Sequence, residues 1–133
     1  MAIKKIKSLD GAGEVVRDDL IMTNAEAGVV GKAYVVTSGK LTAAATDVRP
    51  QYIGRKTTAA ATPGVATEVT YVRNDDLFEC PYTTSGSGVP VVGTKTYDLN
   101  STLTGVDADT ATGGLTEIVS VNTTDATCVI KFN

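Results

Sequence analysis

The residues of this chain that could do chemistry are defined first by one that is missing, since its 133 residues contain no histidine. That removes the commonest general base at neutral pH, the commonest zinc ligand, and every Ser-His-Asp or Cys-His nucleophilic scheme. A serine nucleophile could instead use a lysine base, but no Ser-x-x-Lys occurs, and the nearest approach, Ser38-Gly39-Lys40, reads as a turn. A phosphate loop requires Gly, four residues, Gly, then Lys and Ser or Thr. Residues 88–95, GVPVVGTK, place Thr94 at the lysine position and Lys95 one place late, with Pro90 removing a backbone amide. A calcium loop counted from Asp107 finds Asp109 at position three but Ala111, Thr112 and Ile118 where an oxygen ligand, Gly and Glu belong. That segment reads as an acidic polar loop. The pairs Asp18-Asp19 and Asp75-Asp76 cannot flank one bond, because neighbours on a strand point to opposite faces, and both read as solvated loop charges.

Cys80 and Cys128 allow one disulfide, but their settings predict plain burial as reduced, inert residues. In FECPY the alternation puts Phe78, Cys80 and Tyr82 on one face; in ATCVIKF it puts Cys128, Ile130 and Phe132 together. No catalytic residue, cofactor or metal site is expected, and the chain reads as a non-enzyme.

The elements that carry these residues read as strands. Twenty-one Thr and 17 Val against two Phe and no Trp favour a pleated, half-buried backbone. Turn signals recur at DGAG, SGK, PG, SGSG, TGG and NTTD, separated by short alternating runs: AYVVT, LTAAAT, ATEVTYVR, DLFECPY, KTYDL, LTEIVSV and ATCVIKF. They predict seven or eight strands in an all-β domain, a compact antiparallel barrel or sandwich. Its expected core includes Val35, Val69, Tyr71, Phe78, Cys80, Ile118, Ile130 and Phe132. The firmest local reading is a hairpin about Ser38-Gly39; a helix over DDLIMTNAEAG competes with a loop or strand there. The first nine residues read as an extended N-terminal arm ahead of a single domain over 10–133.

Net charge is −3 and the sequence pI about 4.8, so no overall positive field draws nucleic acid. No run reaches the roughly 18 apolar residues of a membrane helix, and no apolar stretch follows the first lysines as a secretory signal requires. Synthesis in the cytoplasm is expected, without nucleic acid or membrane as partner.

The order of segments carries a resemblance. IKKIKSLDGAGEVVRD is followed by AEAGVVGKAYVVTSGKLTAAA, a strand near YIGRKT, then DLFECPYT, VGTKTYDL and TCVIKF. This resembles the decoration, or cement, proteins that tailed bacteriophages attach to the outside of their capsids. The resemblance covers most of residues 1–132 and rests on common strand and turn residues. It implies a structural virion protein on the capsid outer surface, with the major capsid protein as partner, as a homo-oligomer, a trimer. The capsid-contact arm would be Met1, Ala2, Ile3, Lys4, Lys5, Ile6 and Lys7, with the isoleucines buried against a neighbour and the lysines meeting acidic residues at the rim. Two other classes fit the same residues: a head-completion or tail subunit, and a surface adhesion or glycan-binding β domain, although the chain has no Trp and only five Tyr for stacking sugars.

Overall fold

The computed structural model describes residues 2–86, 88–110 and 114–133. Among these the chain is all-β, with eleven strands and no helix: β1 (Lys4–Ser8), β2 (Val16–Ile21), β3 (Ala33–Thr37), β4 (Lys40–Ala43), β5 (Tyr52–Gly54), β6 (Ala66–Tyr71), β7 (Asp76–Thr83), β8 (Asp98–Leu99), β9 (Val106–Asp107), β10 (Thr116–Asn122) and β11 (Thr127–Phe132). They form two sheets packed as a sandwich rather than a closed barrel. One runs β10-β11-β7-β9-β8, with β1 also on β7; the other runs β2-β6-β5-β3-β4. All pairings are antiparallel except β7 with β9. The five-stranded sheet curls until β2 and β4, its two edges, touch at the single bridge Met22–Leu41.

Local sequence explains much of this. Thr37 pairs with Lys40 across a two-residue turn in which Ser38 (φ 51°) and Gly39 (φ 77°) both take positive φ, as tight hairpins require. Segment 18–28 is not helical: β2 runs to Ile21 and turns follow, because Val16, Leu20 and Ile21 pair with β6 through a bulge that holds Asp18 and Asp19 out in solvent.

Alternation gives the five-stranded sheet two buried faces. Ala33, Ile53 and Val72 face the six-stranded sheet and pack with Phe78, Cys80, Ile118, Cys128, Ile130 and Phe132. The alternate residues Tyr34, Tyr52 and Val69 join Met22 and Leu41 in a second, smaller core on the other face. Residues 27–29 strap that core, since Tyr34 Oη donates to the Ala27 carbonyl at 3.0 Å and accepts the Val29 N–H at 2.9 Å.

Of the expected core, Val69, Phe78, Cys80, Ile118, Ile130 and Phe132 are buried and Val35 is half-buried against the main core. Tyr71 is a correction. It lies 43% exposed, because it continues the face of Val69 at the margin of the small core, opposite Tyr52, whose ring meets it in a T-shaped contact with centroids 5.5 Å apart.

Candidate interaction surface

Seven residues, Met1 to Lys7, form the expected contact arm. Met1 lies outside the described residues. The others do not project as an arm, because β1 is a strand of the six-stranded sheet, paired to β7 with Lys4 opposite Glu79, Lys5 opposite Phe78, Lys7 opposite Leu77 and Ser8 opposite Asp76. The register slips between Lys5 and Lys7, so Ile6 is the extra residue of a bulge.

This arrangement divides the set in two. Ala2 packs on Gly31, whose lack of a side chain (φ +74°) lets it approach, and the Ile3 N–H donates to the Gly31 carbonyl at 3.2 Å. Ile3 is 3% exposed and belongs to the main core. The Lys5 side chain is 6% exposed and its Nζ lies 3.1 Å from Asp76 Oδ1. Lys4 and Lys7 are exposed and Ile6 is 47% exposed. The bulge therefore presents Ile6 and Lys7 side by side, with Lys4 beyond. Ile3 and Lys5, expected to meet a neighbour, are spent inside their own domain.

Asp76 is the residue that sequence reasoning missed. Taken there as a solvated loop charge, its side chain is 0% exposed. Besides Lys5, it accepts the Ser8 hydroxyl at 2.7 Å on Oδ1 and the Arg73 N–H at 3.1 Å on Oδ2. A carboxylate with three donors tolerates burial that an unpaired one would not. Asp75 beside it is exposed, as expected. Lys5 Nζ also donates to the Gly13 carbonyl at 3.3 Å, holding the crossing from β1 to β2 against the sandwich.

Next to Lys5 the two sheets part in a cleft of about 480 Å³, with Ile3, Ile53 and Phe78 among its apolar lining and Glu14 and Arg55 at its charged wall. Glu14 accepts the Thr70 hydroxyl at 2.5 Å and pairs with Arg55 Nη1 at 2.7 Å, while Arg55 Nε bonds Glu68 at 2.9 Å. Burial works to raise the Glu14 carboxyl, but the bonds from Thr70 and Arg55 and the charges of Arg55 and Lys5 outweigh it and hold the group below its ordinary value. These charges are committed to one another. They tie the segment before β2 to β5 and β6 of the five-stranded sheet along one wall of the cleft.

The sign of a pH effect follows. A carboxyl depressed in the folded state contributes stability above its ordinary value of 4.5, lost as pH falls through the folded value. The melting temperature should decline as pH falls below about 4.5, and Glu14→Gln should decline less steeply. Parallel wild-type and variant profiles between pH 7 and pH 3 would show that Glu14 is not a coupled group.

The acidic loop at Asp107 closes on itself. Asp107 accepts the Asp109 N–H at 2.9 Å and the Thr110 hydroxyl at 2.9 Å, and Asp109 accepts the Thr84 hydroxyl at 3.1 Å and the Ser85 N–H at 2.5 Å. Ala111 and Thr112 of the tested calcium pattern lie outside the described residues. Among the described residues no group of three or more His, Cys, Asp or Glu could hold a metal ion.

No family model, curated protein or solved structure matches the chain.

Proposed function

We propose that this protein is a structural subunit that binds the outer surface of an assembled phage head and reinforces it, with the major capsid protein as its partner and a homotrimer as its working form. Two things support the reading: the resemblance in segment order, and the way β1 is built. The single observation that carries it is the anchored, bulged strand. Its inner residues Ile3 and Lys5 are locked into the core while Lys4, Ile6 and Lys7 stand outward on a strand at the margin of the sheet. An aliphatic side chain flanked by two cations on a rigid backbone suits an acidic partner surface, where the apolar group supplies contact area and the lysines set approach and register. Repetition over a shell multiplies such a modest contact.

The contact differs from a flexible arm in a testable way. The variant Lys4→Glu/Ile6→Ala/Lys7→Glu changes only exposed positions and should melt within a few degrees of wild type, since surface substitutions usually cost within about 0.5 kcal/mol each. Its affinity for heads lacking the protein should fall by about tenfold or more, because each 1.4 kcal/mol of lost contact is a factor of ten. Electron microscopy of such heads mixed with each protein reads both occupancy and symmetry position. Unchanged decoration by the variant removes β1 from the interface, and failure of the wild type to attach to heads at all overturns the assignment.

A further inference from the structure

We propose that Cys80 and Cys128 form a reversible redox pair, converted by an oxidant of the small-molecule disulfide class into a cross-strand bond that ties β7 to β11. Both are free thiols, and they are the only cysteines in the chain, so a single intramolecular product exists. The ladder places them directly opposite each other, with their Sγ atoms 3.9 Å apart. The Tyr82 N–H donates to the Ala126 carbonyl at 3.1 Å. Two residues along an antiparallel ladder, Cys80 and Cys128 are a pair of the same hydrogen-bonded kind, whose Cα atoms stand about 5.5 Å apart. That separation falls within the roughly 4.4 to 6.8 Å spanned by natural disulfides. The sulfurs must close to about 2.05 Å, a movement that side-chain torsions can supply with the strands left paired.

The chemistry balances with oxidised glutathione as the oxidant. The thiolate of one cysteine attacks it and releases one reduced glutathione, and the second cysteine then displaces the other from the mixed disulfide. Two S–H bonds are lost, one S–S bond forms, and the two electrons and two protons end on two glutathione molecules. Cys80 is 0% and Cys128 1% exposed, so an oxidant in solution does not reach either sulfur in the closed fold, reaction in the native state is slow, and exchange enters through openings of the β7–β11 ladder. Because β7 also carries β1 and β9, the cross-link joins the strand on which the six-stranded sheet depends, and the fold is reinforced where the surroundings are oxidising.

An equilibrium measurement avoids the slow approach. Reduced and pre-oxidised protein are each brought to equilibrium in glutathione buffers of graded oxidised-to-reduced ratio, once under native conditions and once in unfolding urea, then acid-quenched for intact mass. The native product should be monomeric and lighter by two hydrogens. The effective concentration of one thiol at the other should be at least about tenfold higher in the native chain than in the unfolded one. Cys80→Ser and Cys128→Ser, each with one thiol, should give only glutathione adducts. A native value equal to or below that of the unfolded chain would show that the fold opposes the bond, and adducts or dimers in place of the internal product would overturn the proposal equally.

Discussion

Asp76→Ala is expected to lower stability by about 3–5 kcal/mol, the usual cost of removing one partner from a buried ion pair. The substitution leaves the ammonium of Lys5, whose side chain is 6% exposed, without its counter-charge, and strips Ser8 and the Arg73 amide of their acceptor. Lys5→Met paired with Asp76→Leu removes both charges and should recover most of the loss, because apolar residues of similar size often replace a buried pair at little cost. Urea denaturation of the three proteins measures this. A loss of under about 1 kcal/mol for Asp76→Ala would mean that water reaches the pair and that β1 is not held by it. The same physics bears on attachment. A chain shortened to begin at Ser8 loses Lys5 and also Ile3, so it should melt far below wild type, and poor decoration by it would report unfolding. Substitution at Lys4, Ile6 and Lys7 separates surface from fold where truncation does not.

Phe78→Ala should cost about 3–5 kcal/mol, in the range for emptying a large aromatic site. Phe78 is fully buried, sits between Lys5 on β1 and Ile130 on β11, and meets Phe132 edge-on with centroids 5.4 Å apart. With two Phe and no Trp in the chain, few other side chains could expand into the space. Tyr71→Ala is the contrast. Exposed and touching Tyr52 by its edge, Tyr71 should cost about 1 kcal/mol or less. Comparable losses at the two positions would mean that the outer face of β6 is covered in solution.

What the sequence made legible is what alternation encodes. β6, β7 and β11 could be drawn from ATEVTYVR, DLFECPY and ATCVIKF, and the hairpin from Ser38-Gly39, because period-two patterning and turn stereochemistry are local properties. Tyr71 shows the limit of that method: alternation puts it on the face of Val69, but where along the face burial stops depends on how far the sheet curls. β1 shows a deeper limit. KKIKS offers three lysines in five residues, and nothing local marks the middle one as inward-facing. Its carboxylate partner is the last residue of NDD, where a turn passes into β7 and two adjacent aspartates look alike, and their fates are decided by a strand far away along the chain. The segment was thus half legible: its alternating Ile and Lys mark a strand, but that Ile3 and Lys5 face in while Lys4, Ile6 and Lys7 face out follows from its pairing with β7, which no local pattern shows.

β7 has a consequence for how the chain must be made. It is paired on one side to β1, with Ser8 and Asp76 68 positions apart, and on the other to β11, with Cys80 and Cys128 48 positions apart. β11 is the last of the eleven strands to be synthesised. Until it emerges, one flank of β7 stays unpaired and Phe78 lacks Phe132, so the six-stranded sheet cannot close before β11 is made. Loop-closure entropy over such separations is committed before any contact rewards it, which places folding in the millisecond-to-second range of non-local β topologies. In that interval the nascent chain carries a long apolar strand with an open edge, which is a target for chaperones and for mispairing with other copies on the same message.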